Sequence, residues 1–282
     1  MKTRRHMLIW LRKLLLMTIA FTLCVILLFP LLWMLSGSFK SISETFDVPP
    51  TILPQQPTTT AYDQLLRMTD FLVFFRNSLV VSFSSSAIAL VLSIGGVYGL
   101  TRYRLVGGSL FSYMILFTYM LPGILLVIPL FTLWVRLGMS DSLTALSLTY
   151  VSFTLPFALW MMRSYIGTIP REIEEAGMVD GATRFQSFRR LIIPQAVPGM
   201  LSTFIFTFIL AWQEYLFALV MISSDEKKTI TLGVANLING RAINSWPVLN
   251  AAGVLATIPV LFLFIFAQRW LVAGFTAGAV KG

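Results

Sequence analysis

Hydrophobic and polar positions in this chain alternate over whole segments rather than from one residue to the next. Six mostly apolar runs are separated by shorter polar stretches, and a helix needs about 20 such residues to cross a bilayer. The pattern therefore predicts an all-α membrane protein with six transmembrane helices. The predicted spans are 14–35, 77–100, 110–135, 143–162, 200–222 and 248–268.

Composition agrees with lipid as the solvent of these segments. Hydrophobic residues make up 57% of the chain and charged residues only 12%, whereas a soluble domain carries about 25% charged residues. Cys24 is the only cysteine and His6 the only histidine. An intrachain disulfide is excluded, and a histidine-based or metal site is not expected.

Basic residues before the first apolar run leave two interpretations of the N-terminus, a cleaved signal peptide or a first span. The run at 14–35 is longer than a typical signal-peptide core, and no A-x-A cleavage pattern follows it. We expect a short basic cytoplasmic tail at 1–13 and a single transmembrane domain at 14–282.

Lys and Arg are unevenly distributed between the segments that connect the spans. If the N-terminus lies inside, the inner segments hold 14 of the 21 basic residues. Cytoplasmic loops are enriched in Lys and Arg, so this bias predicts that both termini are cytoplasmic. The formal net charge of +9 then indicates membrane orientation rather than nucleic-acid binding.

Small and helix-breaking residues modify several spans. The second span is rich in Ser and Gly, which favours a close packing face over a ligand site. Asn77 is predicted to cap its beginning, and a further helix is expected at about 62–74. Prolines within the other spans are consistent with bending or with a lined pathway: Pro122, Pro129, Pro156 and Pro259.

The most charged inner segment lies at 166–198 and contains EEAGMVDGATRFQSFRRLIIP, residues 174–194. Pro170 suits the first turn of a helix, and the following glutamates favour a helix N-terminus. Asp180-Gly181 supplies a turn, and Thr183 with Gln186 fits a capping box. We predict two short helices joined by a turn, the second ending at Pro194.

The second helix of this loop is expected to have one apolar face, because its apolar residues recur at helical spacing. They are Phe185, Phe188, Leu191 and Ile192. Two interpretations remain open from local residues alone. The loop is either an interfacial anchor or a docking element for a soluble partner.

The same stretch closely resembles the EAA loop of binding-protein-dependent ABC importer permeases. The words LPGILLVIPLF, LPFALWMMRSYIGTIPREIEEA, WQEYLFALV and GFTAGAVKG are similar to the carbohydrate-uptake branch, in particular the G-type permease of maltose-like importers. Glu175, Ala176 and Gly181 match the signature. Gly177 departs from it, since Ala is usual there, and a looser first helix is expected because Gly costs about 1 kcal/mol relative to Ala.

The resemblance implies a type I ABC importer bundle whose loop docks on a cytoplasmic ATPase dimer. The implied coupling residues are Glu174, Glu175, Ala176, Gly177, Asp180, Gly181, Ala182, Phe185, Phe188 and Arg189. A C-terminal tail that reaches towards the ATPase is implied at Ala277, Gly278, Ala279, Val280, Lys281 and Gly282. The implied partners are a second, F-type permease, an ATPase homodimer, an extracytoplasmic sugar-binding protein, a sugar and membrane lipid in a prokaryotic inner membrane.

The only Asp, Glu, Lys or Arg within a predicted span is Glu214, in the sequence Trp212-Gln213-Glu214-Tyr215. Intramembrane charges are costly and are therefore functional candidates. Aromatic and polar groups could contact a sugar in the translocation path. Alternatively, Glu214 pairs with the partner permease or serves gating, and its motif is general to the family.

No P-loop pattern G-x-x-x-x-G-K-[ST] occurs in the chain, so we expect no cofactor on it, with ATP and Mg²⁺ on a separate ATPase. A membrane-embedded enzyme would need paired acid–base residues or metal ligands that the sequence lacks. The alternative is a stand-alone secondary transporter or channel, for which Glu214 alone supplies an intramembrane charge.

Overall fold

A computed structural model describes residues 2–103, 108–238 and 245–279. The described residues form helices joined by turns and loops, with no β-strand in those ranges. The helices are α1 Lys2–Ser38, α2 Ile42–Thr45, α3 Thr60–Met68, α4 Phe71–Arg102, α5 Gly108–Met120, α6 Ile124–Arg136, α7 Leu143–Thr168, α8 Arg171–Val179, α9 Arg184–Ser187, α10 Ile193–Trp212, α11 Leu216–Met221, α12 Ile230–Ile238 and α13 Trp246–Ala279.

Five helical segments of the described chain are long and apolar enough to cross a membrane. They are Trp10–Ser38, Phe71–Arg102, Leu143–Thr168, Arg184–Trp212 and Trp246–Phe266. A sixth span results if α5 and α6 are counted as one broken span, since they pass the same test together. The prediction of an all-α membrane protein with several spans is confirmed.

The third predicted span, 110–135, is not one straight helix. A break follows Met120, and the helical segments on either side of it are bent by 95°. Pro122 has no N–H to continue the ladder, and Leu125 N–H instead bonds the Pro122 carbonyl at 3.0 Å. Pro129 and Pro156, by contrast, lie within continuous helices.

The fifth predicted span, 200–222, is also corrected. Its helix is continuous with the second helix of the preceding loop, so the apolar helix runs from Arg184 to Trp212. It then ends, and the separate short helix α11 follows at Leu216. The amide N–H groups at the start of α11 bond the Glu214 side chain, so a hydrogen-bonded turn replaces the predicted continuous helix.

The start of α4 differs from the prediction as well. The helix expected at about 62–74 is α3, and α4 already begins at Phe71. Asn77 therefore lies inside a helix rather than capping one. Its buried side-chain amide instead donates to the carbonyls of Glu226 and Lys228, at 2.9 and 3.0 Å.

The chain divides into two compact units. One contains 1–69 and 236–257. There the carboxylate of Glu44 accepts hydrogen bonds from Thr51 Oγ1 at 2.8 Å and Gln55 N–H at 2.9 Å. The Lys40 ammonium bonds the Thr51 carbonyl. These contacts hold the proline-rich segment after α1 in a fixed path.

The other unit contains 70–235 and 258–282, and the core of its described part is the packing of α4, α7 and α10. The serines of the second predicted span are central to it, since Ser82, Ser85, Ser86 and Ser93 are fully buried. Small buried residues allow membrane helices to approach closely. The position of these serines agrees with the packing face predicted for this span.

Candidate functional site: the coupling loop and the turn at Glu214

The charged loop at 166–198 folds as predicted over its first half. α8 begins directly after Pro170, with Glu172 and Glu174 in its first turn. Gly181 has φ +87°, a left-handed conformation that favours glycine. The capping box is present: Thr183 Oγ1 accepts from Gln186 N–H at 3.3 Å, and Gln186 Oε1 accepts from Thr183 N–H at 2.8 Å.

The second half of the loop corrects the prediction that Pro194 ends the element. α9 passes into a π-helical turn, Phe188–Ile192, and then into α10. Ile193 N–H bonds the Phe188 carbonyl, five residues back. Pro194 lies at the start of α10, and the wider turn before it accommodates a residue that cannot donate a backbone hydrogen bond. The loop is thus directly joined to a membrane helix.

Gly177 lies at a close contact between α8 and the π-helical turn. A Cβ atom at this position would be 2.5 Å from Leu191 Cδ1 and 3.1 Å from Ser187 Oγ. The expectation of a looser first helix considered α8 alone. In the folded loop the missing side chain allows α8 to pack tightly against the turn.

Glu174 points into the molecule rather than towards solvent. Glu174 is only 4% exposed. Oε1 accepts a hydrogen bond of 2.5 Å from the Tyr98 hydroxyl, and Oε2 lies 3.2 Å from Arg102 Nε. We call Tyr98, Arg102 and Glu174 the loop clamp, because they join α8 to the end of α4.

Several other implied coupling residues form the solvent-facing side of the loop. Exposed members of the set are Glu175, Ala176, Asp180, Gly181, Phe185 and Arg189. Phe185 is 70% exposed, and the neighbouring Val179 is 87% exposed. Phe185 therefore does not share the buried side of Ile192, and the single apolar face predicted for this helix is wrong.

The rest of the implied set lies on the inner side or at its margin. Gly177 is buried and Ala182 is half-buried. Phe188 is also half-buried, with its ring centroid 4.3 Å from that of Tyr98.

Of the implied C-terminal tail, Ala277, Gly278 and Ala279 lie at the end of α13. Val280, Lys281 and Gly282 fall outside the described residues.

The sequence Trp212-Gln213-Glu214-Tyr215 forms the turn between α10 and α11. The carboxylate of Glu214 accepts hydrogen bonds from Phe217 N–H at 2.8 Å and Ala218 N–H at 3.2 Å. Its carbonyl accepts from Thr231 Oγ1 at 2.7 Å. Glu214 therefore caps the N-terminus of α11, where a negative charge is favoured.

The aromatic neighbours of Glu214 have different surroundings. The Trp212 ring is buried, stacks on Phe208 at 5.6 Å and meets Phe75 edge-on, also at 5.6 Å. Gln213 and Tyr215 are exposed. Trp212 is thus engaged in helix packing, whereas Gln213 and Tyr215 are accessible on the described chain.

A second polar cluster, which the sequence analysis missed, lies near the opposite end of α7 from the loop. Asp141 accepts hydrogen bonds from Ser223 N–H and from both the N–H and the hydroxyl of Ser224, and it pairs with Lys227 at 2.9 Å. Burial alone would raise the pKa of Asp141, but the hydrogen bonds from Ser224 and Lys227 and from the two amides outweigh it and hold that pKa well below its usual value. We call Asp141, Ser224 and Lys227 the turn clamp.

Sequence reasoning also missed Tyr98 and Arg102. Nothing in their local sequence pairs them with Glu174, from which Tyr98 is separated by 76 positions. In the sequence, Arg102 is simply one of the basic residues between the second and third predicted spans. Its position at the end of a span, facing a charged loop, was the available signal.

The sequence of this chain matches a known protein family. Residues 95–276 match the family described as the binding-protein-dependent transport system inner membrane component. The chain belongs to this family of multi-pass membrane permeases. The resemblance to binding-protein-dependent ABC importer permeases is confirmed.

Related proteins are similar over almost the whole chain. The inner membrane ABC transporter permease protein YcjP of Escherichia coli is 41% identical, over 92% of each chain. The diacetylchitobiose uptake system permease protein DasC of Streptomyces coelicolor is 35% identical, over 93% of this chain and 95% of that protein. The trehalose/maltose transport system permease protein MalG of Thermococcus litoralis is 31% identical, over 96% and 98%.

A solved structure shares the fold. It is a crystal structure of a bacterial ABC transporter involved in the import of the acidic polysaccharide alginate. The TM-score is 0.76 at 21% sequence identity, covering 92% of this chain and 96% of that chain. The described helices therefore have the same fold as a chain of that transporter.

Proposed function

We propose that this chain is one of two permease subunits of an ATP-driven, binding-protein-dependent sugar importer. Its loop at 166–198 docks on a cytoplasmic ATPase, which binds ATP and Mg²⁺. A second, F-type permease completes the translocation path, and an extracytoplasmic binding protein delivers the sugar. Both termini are cytoplasmic, and this chain itself hydrolyses nothing.

The two-sided structure of the loop is the observation that carries this proposal. One side is held to α4 by the buried Glu174. The other presents Val179, Phe185 and Glu175 to solvent. Exposed apolar side chains surrounded by charge are typical of a protein interaction site, which favours docking over the alternative of a membrane anchor.

The choice of a sugar rests on the relatives. DasC is named for diacetylchitobiose uptake and MalG for trehalose and maltose transport. A solved structure with the same fold, a bacterial alginate ABC transporter in complex with an alginate pentasaccharide-bound periplasmic protein, supports the proposed binding-protein partner. The names of these two relatives, DasC and MalG, support a di- or oligosaccharide. Gln213 and Tyr215, the exposed residues of the turn, remain the proposed path residues on this chain.

Purification from native membranes tests the proposal. We expect an ATPase and a second permease to co-purify with the tagged chain. Glu175→Lys reverses an exposed charge, and Gly181→Pro is incompatible with φ +87°. Both variants should insert normally and lose the ATPase, whereas Glu172→Lys, one turn away on the exposed side of α8, should retain it.

The alternative of a stand-alone transporter or channel makes the opposite prediction. The chain would then purify alone, and vesicles containing it would take up maltose, trehalose or diacetylchitobiose without ATP. That result would overturn the proposal. The hydrogen bonds between Glu214 and the amides of α11 favour a structural role for this residue over ion coupling.

A further inference from the structure

The loop clamp borders an apolar cluster, of which Tyr98 is itself a member. Its buried members come from the end of α4, the end of α7 and the start of the helix that follows the loop: Ile94, Val97, Tyr98, Met162, Ile166, Ile169, Ile192 and Ala196. Ile173 and Phe188 of the loop pack against it. The loop is therefore attached through apolar contacts as well as polar ones.

Two backbone contacts extend the attachment in both directions. Arg102 Nη2 donates to the Ile169 carbonyl at 2.9 Å, at the end of α7. Arg171 Nη2 donates to the Thr101 carbonyl at 2.6 Å, at the end of α4. Carbonyls in the last turn of a helix have no partner within it, so each arginine satisfies a group that the neighbouring element leaves open.

The charges in the clamp are buried, and the side chains of Arg102 and Glu174 are each 6% exposed. A buried ion pair seldom adds net stability over well-packed apolar residues, but removing one partner leaves an uncompensated charge. Such a pair therefore favours one arrangement over others. Here the favoured arrangement fixes the direction of α8 relative to α4.

We propose that Tyr98, Arg102 and Glu174 are positioning residues that make the coupling loop and α4 move as one rigid body. α4 is then the helix that receives displacement of the loop directly. By contrast, the loop joins α10 through the π-helical turn Phe188–Ile192, and such turns often accompany functional sites. The proposal rests on the proposed function only in taking an ATPase as the source of the displacement.

Distance measurement between two spin labels tests the proposal without knowledge of the sugar. The single cysteine, Cys24, is replaced by serine. Labels are then placed at Glu172→Cys on α8 and Val91→Cys on α4, both exposed positions. The complex isolated from native membranes is measured without nucleotide and with Mg²⁺ and a non-hydrolysable ATP analogue.

We expect one narrow distance distribution that is the same in both states. Tyr98→Phe removes the hydroxyl but keeps the ring on Phe188, and it should broaden the distribution. Arg102→Met should broaden it further. Arg163→Met is the matched control, since Arg163 is exposed on α7, and it should leave the distribution unchanged. Melting temperatures of all variants establish that folded protein is compared.

Two results would overturn the proposal. One is a label distance that changes with nucleotide although the clamp is intact. The other is a distribution for folded Tyr98→Phe that stays as narrow as that of Arg163→Met. If no ATPase co-purifies, the proposed function fails instead. The width of the label distance distribution in the isolated chain then still decides whether the clamp fixes the loop.

Discussion

The hydroxyl of Tyr98 donates a 2.5 Å hydrogen bond to the carboxylate of Glu174 and so connects a membrane helix to the charged loop at 166–198. Arg102, one helical turn beyond Tyr98, faces the other carboxylate oxygen. Glu174 and Glu175 are neighbours in sequence, but the first is buried and the second is exposed. Their roles should therefore separate experimentally.

Glu174→Gln should destabilise the protein, whereas Glu175→Gln should not. The first substitution leaves the buried Arg102 without its counter-charge, which costs about 3 kcal/mol. The second changes a solvated group, where effects stay within about 0.5 kcal/mol. Melting temperature in detergent measures both effects.

The amount of ATPase that co-purifies should not follow the melting temperatures of these variants. Glu175→Gln should weaken it at unchanged melting temperature, because an exposed contact residue is altered. Equal melting temperatures for Glu174→Gln and the unmodified protein would contradict the burial of the clamp. Arg163→Met again serves as the exposed control.

Local patterns in the sequence were sufficient to predict the elements that depend on local interactions. The apolar runs predicted the membrane helices, and Thr183 with Gln186 predicted the capping box. Glu174 was assigned to the loop, but its partners are distant in sequence and were not identified. Gly177 was judged from helix propensity alone, whereas its environment includes Leu191 of the following turn.

Gly177→Ala should therefore be destabilising, although Ala is the better helix former. The new methyl group would lie 2.5 Å from Leu191 Cδ1 and 3.1 Å from Ser187 Oγ. Because Leu191 is half-buried and its side chain can shift, we expect a cost of about 1 kcal/mol, the lower end for overpacking. Leu191→Ala removes the obstructing atoms. In the double variant, the effect of Gly177→Ala should be smaller than in the unmodified chain.

A double-mutant cycle on melting temperature, calibrated as free energy, measures this coupling. Gly167→Ala is the matched control, since a Cβ there meets nothing within 4 Å and the substitution should stabilise by helix propensity alone. Additive effects of Gly177→Ala and Leu191→Ala would show that the two residues do not restrict each other.

The turn clamp predicts a dependence of stability on pH. The pKa of Asp141 is lowered in the folded protein, so the charged carboxylate contributes stability above its unfolded pKa of about 4. That contribution is lost as pH falls further towards the folded pKa. Melting temperature should therefore decrease below about pH 4.

Asp141→Asn is a suitable variant, because asparagine tolerates the left-handed conformation found at φ 51° and keeps one acceptor. It should lower the melting temperature at pH 7. The difference from the unmodified protein should shrink below about pH 4, where Asp141 begins to be protonated in the unfolded chain. A difference that is constant with pH would exclude the charge as its cause.

Glu214 supplies the final test, because its observed role is structural. Its carboxylate caps α11 through the amides of Phe217 and Ala218. Glu214→Ala removes both bonds and should cost about 1 kcal/mol, whereas Glu214→Gln keeps an acceptor and should cost less. Both variants should retain ATPase co-purification, since the turn is distant from the loop. If Glu214→Gln abolished ATP-dependent uptake of maltose or trehalose at an unchanged melting temperature, a transport role for the ionised carboxylate would replace the capping role.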